Sequence, residues 1–170
     1  TYSPQFVTLG LSFARNLSDR ISVGLTGTLI SEKLDLVSAS GVAFNVGVMY
    51  EHLANINGLS FGVVLKNLGP QMTFDGSGLL NNAIAPQFNR PGEFYKVDAA
   101  SFELPSSLEL GLAYQPAINE ENSLLIASSF QSNNFSGDEY KVGAEYGYSN
   151  TLFIRGGYTF APELNTESYI

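Results

Sequence analysis

Eight stretches of this chain alternate apolar side chains with small or polar ones, and that rhythm excludes most folds at once. Val42, Phe44, Val46, Val48 and Tyr50 share one parity, while Ala43, Asn45, Gly47, Met49 and Glu51 share the other. A β-strand turns successive side chains to opposite faces, so this pattern writes a strand with one apolar face and one small-residue face. It returns as Ile21, Val23, Leu25 and Leu29, as Leu59, Phe61, Val63 and Leu65, and as Leu108, Leu110, Leu112 and Tyr114. Tyr140, Val142, Ala144, Tyr146 and Tyr148 repeat it, as do Leu152, Ile154, Tyr158 and Phe160. Strands are expected near 6–15, 20–33, 41–51, 58–68, 102–115, 123–131, 139–148 and 151–160.

Most of these spans reach the roughly 9–11 residues that a tilted strand needs to cross a bilayer. Charged residues make up 14 % of the 170, against roughly 25 % in soluble globular chains. No apolar run approaches the roughly 20 residues of a spanning helix. The apolar parity carries aromatics towards its two ends: Phe13, Tyr50, Tyr114, Tyr146 and Tyr148 at one, Phe44, Phe102, Phe130, Tyr140, Tyr158 and Phe160 at the other. Such belts suit a membrane barrel. The expected fold is all-β, an antiparallel transmembrane β-barrel with short periplasmic turns and longer extracellular loops. A β-sandwich also alternates, but its solvent face should be rich in Lys, Glu and Thr, whereas here that parity carries Ser22, Gly24, Thr26 and Thr28 on one strand and Gly111 and Ala113 on another, small residues that suit a crowded lumen better than open water.

A net charge of −8 with only 8 scattered basic residues argues against nucleic acid as a partner. Cysteine is absent, so neither disulfides nor thiolate chemistry is available. The chain opens at Thr1 without the basic and apolar regions of a signal peptide, which an exported barrel needs. The expectation is one incomplete barrel domain over 1–170.

Several phrases carry a resemblance: 17–34, 39–50, 58–80, 101–114 and 150–160, with Ala39–Phe44 and Lys66–Pro70 the most specific. Across nearly its whole length the chain resembles the PorV/PorQ family, outer-membrane barrels similar in fold to FadL-type fatty-acid transporters. The resemblance implies an arc of a larger barrel of roughly fourteen strands, although eight strands can close a small one. It also implies that a plug-like N-terminal region and closing strands are missing, with Asn165–Ile170 opening an extracellular loop. It implies a bacterial outer-membrane location, contact with lipid, and a non-enzymatic part in type IX secretion. The implied partners are a translocon, an attachment complex or cargo proteins. A FadL-like transporter of hydrophobic small molecules and a soluble β-sandwich adhesion module are the alternatives.

Candidate chemistry is sparse. Gly58–Gly62 matches the G-x-S-x-G nucleophile elbow, but that motif requires a strand-to-helix turn and a later histidine. The sole histidine, His52, lies upstream in a turn, and one imidazole falls short of a zinc set. Asp75–Gly78 lacks the spaced carboxylates of a calcium loop. No cofactor or metal is expected. Glu51, Lys66, Glu109, Lys141, Glu145 and Arg155 all fall on the small-residue parity, where a barrel would place its lumen. They read as a polar path or as cross-strand pairs filling an interior, with Glu145 and Arg155 on adjacent hairpin strands. The long 75–101 connection carries Phe88, Arg90, Phe94, Tyr95 and Lys96, residue types that anchor interfaces. These read equally as a partner-docking loop or as a cover folded over the barrel mouth.

Overall fold

The computed structural model describes residues 4–83 and 93–162. Eight long strands dominate: β1 (Gln5–Asn16), β2 (Ile21–Leu34), β3 (Val37–Glu51), β4 (Leu59–Leu68), β9 (Ser107–Tyr114), β10 (Asn122–Asn133), β11 (Glu139–Tyr148) and β12 (Leu152–Phe160). Between β4 and β9 lie the short strands β5 (Met72–Thr73), β6 (Leu80–Ala83), β7 (Glu93–Lys96) and β8 (Ser101–Phe102). The expected strand over 102–115 is therefore two. Pro105 has no N–H to give a ladder, and the long strand starts only at Ser107.

The long strands form one sheet in the order β1-β2-β3-β4-β9-β10-β11-β12, while β5 pairs with β8 and β6 with β7 in separate small sheets. This order corrects the expectation of a closed barrel. Among the described residues β1 and β12 are end strands, and neither joins the other. Alternation gives every strand two distinct faces, but closure needs the first strand to pair with the last, which alternation does not encode. The transmembrane reading falls with the barrel, and so do the assigned periplasmic and extracellular sides.

The chain divides into two compact units. The first comprises Thr1–Leu11, Gly27–Ala43 and Gly69–Leu104. Its core is small: Ala39, Ala43, Met72 and Leu104 are buried, with Ile30, Phe74 and Phe102 packed against them. Ala39 and Ala43 lie on the small-residue parity of β3, so this core sits on the face opposite Val42. Gly41 makes room for it, because a Cβ there would meet Met72 Cγ at 2.7 Å. Phe102 stacks on Phe74 with ring centroids 5.3 Å apart, so it belongs to this core and not to an aromatic belt.

The second unit comprises Ser12–Thr26, Phe44–Leu68 and Pro105–Ile170. Its strands run antiparallel in continuous register from β3 to β12, with one irregularity between Phe44 and Val46. Opposite that bulge Asn67 takes φ 55°, donates its N–H to Asn45 Oδ1 at 2.7 Å, and donates Nδ2 to Pro105 O at 2.8 Å. Asn tolerates the left-handed region better than most residues, and bulges commonly use it. Along β11 the exposed positions are Tyr140, Val142, Ala144, Tyr146 and Tyr148, while the intervening Glu139 to Gly147 parity is sheltered. The apolar face is thus the bare one, and the small, polar face is the protected one.

Candidate functional site

The register of the second unit brings the sequence-selected charges onto one face. Val64 opposes Glu109, Glu109 opposes Gln131, and Gln131 opposes Glu139. The next row on the same face runs Met49, Gly62, Gly111, Ser129, Lys141 and Thr159. Beyond it Glu51 stands opposite Ser60, and Ser60 opposite Ala113. All six selected charges, Glu51, Lys66, Glu109, Lys141, Glu145 and Arg155, therefore share the small-residue face. No closed lumen surrounds them.

Five of the six are held by side-chain partners on that face. Lys66 Nζ donates to Glu109 Oε2 at 2.5 Å. That bond, with the Lys66 charge and a hydrogen bond from Ser129, holds the Glu109 carboxyl below its usual range, against the opposing effect of partial burial. Lys141 Nζ donates to Gln131 Oε1 at 2.7 Å and pairs with Glu139 at 3.0 Å. Arg155 Nε donates to Glu145 Oε2, and its guanidinium lies over the Phe153 ring, 5.5 Å from the centroid. Glu51 is fixed through its backbone, its N–H donating to Arg20 O at 2.7 Å.

Between these groups lies a shallow hollow of about 470 Å³. Most of its lining belongs to the small-residue face, including Ser60, Gly62, Gly111, Ala113, Ala127, Ser129, Lys141 and Gly143. Gly62 and Gly111 are direct register partners. A Cβ on Gly62 would meet nothing nearer than Val48 O at 3.9 Å, and one on Gly111 nothing nearer than Ser128 O at 4.0 Å. No packing demand accounts for these two glycines. In a strand such a residue often marks a close approach by a ligand or another backbone.

The opposite face is an apolar field. Phe61, Leu112, Ser128, Val142 and Tyr158 form one register row, and Phe130, Tyr140 and Phe160 another. Phe130 and Tyr140 touch with centroids 5.0 Å apart. Tyr158 is 69 % exposed and Ile154 63 %. The strength of this exposure follows from the alternation, but sequence alone left open whether another sheet covers the face.

The remaining selected residues disperse. Phe88 and Arg90 lie outside the described residues, as do Asn165–Ile170. Phe94 and Tyr95 sit exposed on β7, in the first unit. Lys96 pairs with Asp75 Oδ1 at 2.6 Å. That contact and the Gly76 N–H lower the Asp75 carboxyl, and Asp75 in turn raises the Lys96 ammonium. Leu80–Ala83 and Glu93–Lys96 pair antiparallel within the span expected to be a long loop. Ser60 lies inside the continuous strand β4, without the strand-to-helix turn of a nucleophile elbow. His52 takes φ 54° at the head of a 3-10 turn. Among the described residues no group of three or more His, Cys, Asp and Glu is placed to hold a metal ion. Sequence reading missed Met72, Phe74 and Leu104, which build the core of the first unit and follow no long periodic pattern.

Compared with known proteins, the chain matches no family model and no curated protein. The resemblance to the PorV/PorQ family is therefore unsupported in sequence as well as in sheet closure. Its implied outer-membrane location, lipid contact and type IX secretion partners are withdrawn with it, because each rested on that resemblance and the closed barrel.

Proposed function

We propose that this chain is a non-enzymatic interaction module of the adhesion kind, one that works by contact through its apolar sheet face. The observation that supports it most directly is the exposure of that face in the second unit. Val48, Leu65, Leu112, Ile126, Val142 and Tyr158 project from the successive strands β3, β4, β9, β10, β11 and β12, with nothing among the described residues of that unit packed over them. Contiguous apolar patches beyond a few hundred Å² mark surfaces that meet a partner. Tyr114, Tyr140, Tyr146, Tyr148 and Tyr158 are spread over the same face, and each is more than a third exposed. Tyrosine gives a large rigid contact area with a hydroxyl that tolerates water at a rim, which favours it in interfaces. Five of the six selected charges on the other face are held by side-chain partners there, which leaves the apolar face as the one free to meet a partner.

Face-specific photo-crosslinking tests this reading. A photoreactive phenylalanine analogue replaces Tyr158 in one variant and its chain neighbour Thr159, on the other face, in a second. In the cells that make the protein, discrete protein adducts are expected from position 158 and few from 159. Adducts to lipid alone, equal yields from both positions, or no adducts would overturn it.

A second reading has its own support. The unobstructed Gly62–Gly111 floor favours a hydrophobic small molecule resting in the hollow, within the range of about 300–1,000 Å³ usual for ligand sites. Gly111→Leu would fill that space without touching the apolar face. A fluorescent apolar probe that binds the wild type and loses its affinity for the variant is the expected result. Unchanged probe binding would rule the hollow out.

A further inference from the structure

We propose that the apolar face recognises a tyrosine side chain of its protein partner, received in a socket at Ser128. This rests on contact through that face and adds what the face selects. In the register row Phe61, Leu112, Ser128, Val142 and Tyr158, Ser128 is the one polar member and the smallest. The gap it leaves belongs to a hollow of about 260 Å³. Leu110, Leu112, Phe130, Tyr140 and Val142 wall that hollow, and all share the apolar parity. They come from two adjacent register rows, one through Ser128 and the next through Phe130. Strands β9, β10 and β11 each pair on both sides, and all three belong to the second unit. The socket is thus built in the interior of the sheet.

Size selects the occupant first. An apolar cavity of about 150 Å³ takes a benzene ring, while small-molecule sites commonly occupy about 300–1,000 Å³. At about 260 Å³ the socket suits one ring and its substituent, the tip of a side chain. Chemistry then narrows the choice. Phe130 and Tyr140, with centroids 5.0 Å apart and planes tilted by 42°, offer a third ring the offset and edge contacts that aromatic groups prefer. Tyrosine and arginine are common interface anchors, but the apolar parity of β9, β10 and β11 carries no carboxylate to pair an arginine. Ser128 is exposed, and its hydroxyl has no hydrogen-bond partner among the described residues. Phenylalanine or leucine seated there would strip that hydroxyl of water and return nothing. A phenol O–H can donate to Ser128 Oγ while its ring fills the space between Phe130 and Val142.

Two measurements on the full chain test the proposal. In the first, p-cresol, the side chain of tyrosine alone, is titrated while the Leu112 and Val142 methyl signals are followed by NMR. Saturable shifts are expected at both, with toluene binding about fivefold more weakly for want of one hydrogen bond. Ser128→Leu fills the socket and keeps the face apolar, so it is expected to show no saturable shift. Ser128→Val provides a second filled socket if the first fails to fold by circular dichroism. Ser128→Ala keeps the space and loses the hydroxyl, and is expected to bind p-cresol and toluene alike. In the second, the photoreactive group at position 158 stands about 10 Å from Ser128, two strand spacings along the row. Its protein adducts in cells are expected to disappear when Ser128→Leu is added. Binding of p-cresol that survives a filled socket would overturn the proposal, as would toluene or 3-methylindole binding as tightly as p-cresol. Adducts that persist in Ser128→Leu would overturn the socket and leave contact through the face standing. No adducts without that substitution would defeat the contact reading itself, and the proposal with it.

Discussion

Glu145 and Arg155 stand directly opposite each other across the β11–β12 ladder, and the Arg155 guanidinium donates to the Glu145 carboxylate on the small-residue face. The pair neutralises two charges on a face whose neighbours include Gly143, Gly147 and Gly157. With the Arg155 side chain 68 % exposed, water screens the attraction. A double-mutant cycle with Glu145→Gln and Arg155→Gln is expected to give a coupling of about 0.2–1 kcal/mol by denaturant unfolding. A coupling of several kcal/mol would mean that the face is dry and covered in solution.

The Lys66–Glu109 pair makes stability depend on acidity. Because the folded Glu109 carboxyl is held below its reference value of 4.5, chiefly by the Lys66 hydrogen bond, the unfolded chain binds a proton there first as pH falls. Its contribution is complete above pH 4.5 and disappears as pH drops through the lower folded value. Lys66 is 40 % exposed, so screening keeps that contribution to about 1 kcal/mol or less. Unfolding midpoints of the wild type and Glu109→Gln should differ at pH 7 and converge in acid. A gap that stays constant down to pH 3 would disprove the assignment.

The hairpin turn offers a gain of stability. Ser149 and Asn150 both adopt positive φ, 48° and 50°, as the two central positions of a type I′ turn require. Serine is a poor occupant there, and Asn-Gly is the favoured pair. Replacing Ser149→Asn together with Asn150→Gly is expected to raise stability by about 0.5–1 kcal/mol. Asn150→Pro, which forces φ near −65°, is expected to lower it.

Most strand positions were legible because period two is imposed residue by residue, and the parity of Glu109, Lys141 and Arg155 followed with it. Closure was not legible. The side chains of β1 alternate in the same way whether its outer backbone groups meet β12, another chain or water. The first unit was hidden for a different reason. Met72, Phe74, Phe102 and Leu104 come from short pieces around Pro70 and Pro105, and they pack on the face that alternation marks as small and polar. Gly41 was the available sign, an interruption that admits Met72, but a strand glycine reads the same over a core, over a hollow or over nothing. For Glu145 and Arg155, sequence gave two adjacent strands, and only the register made them opposite.

Two glycines on equivalent parities should respond to the same substitution in different ways. At Gly41 a new Cβ would meet Met72 Cγ at 2.7 Å and Sδ at 2.9 Å, so Gly41→Val must displace Met72, the largest fully buried side chain described in the first unit. Overpacking of this kind costs about 1–3 kcal/mol. At Gly111 the nearest atom is Ser128 O at 4.0 Å, and Gly111→Val meets open space. There the β-branched side chain restricts the unfolded chain and suits a strand, so stability is expected to hold or rise by up to about 1 kcal/mol. The pairing is checked by adding Met72→Ala to Gly41→Val, which vacates the collision and should recover part of the loss even though Met72→Ala alone destabilises. Strict additivity of the two changes would show that Gly41 and Met72 do not compete for one space. An equal loss at Gly111 would show that its hollow is filled by packing.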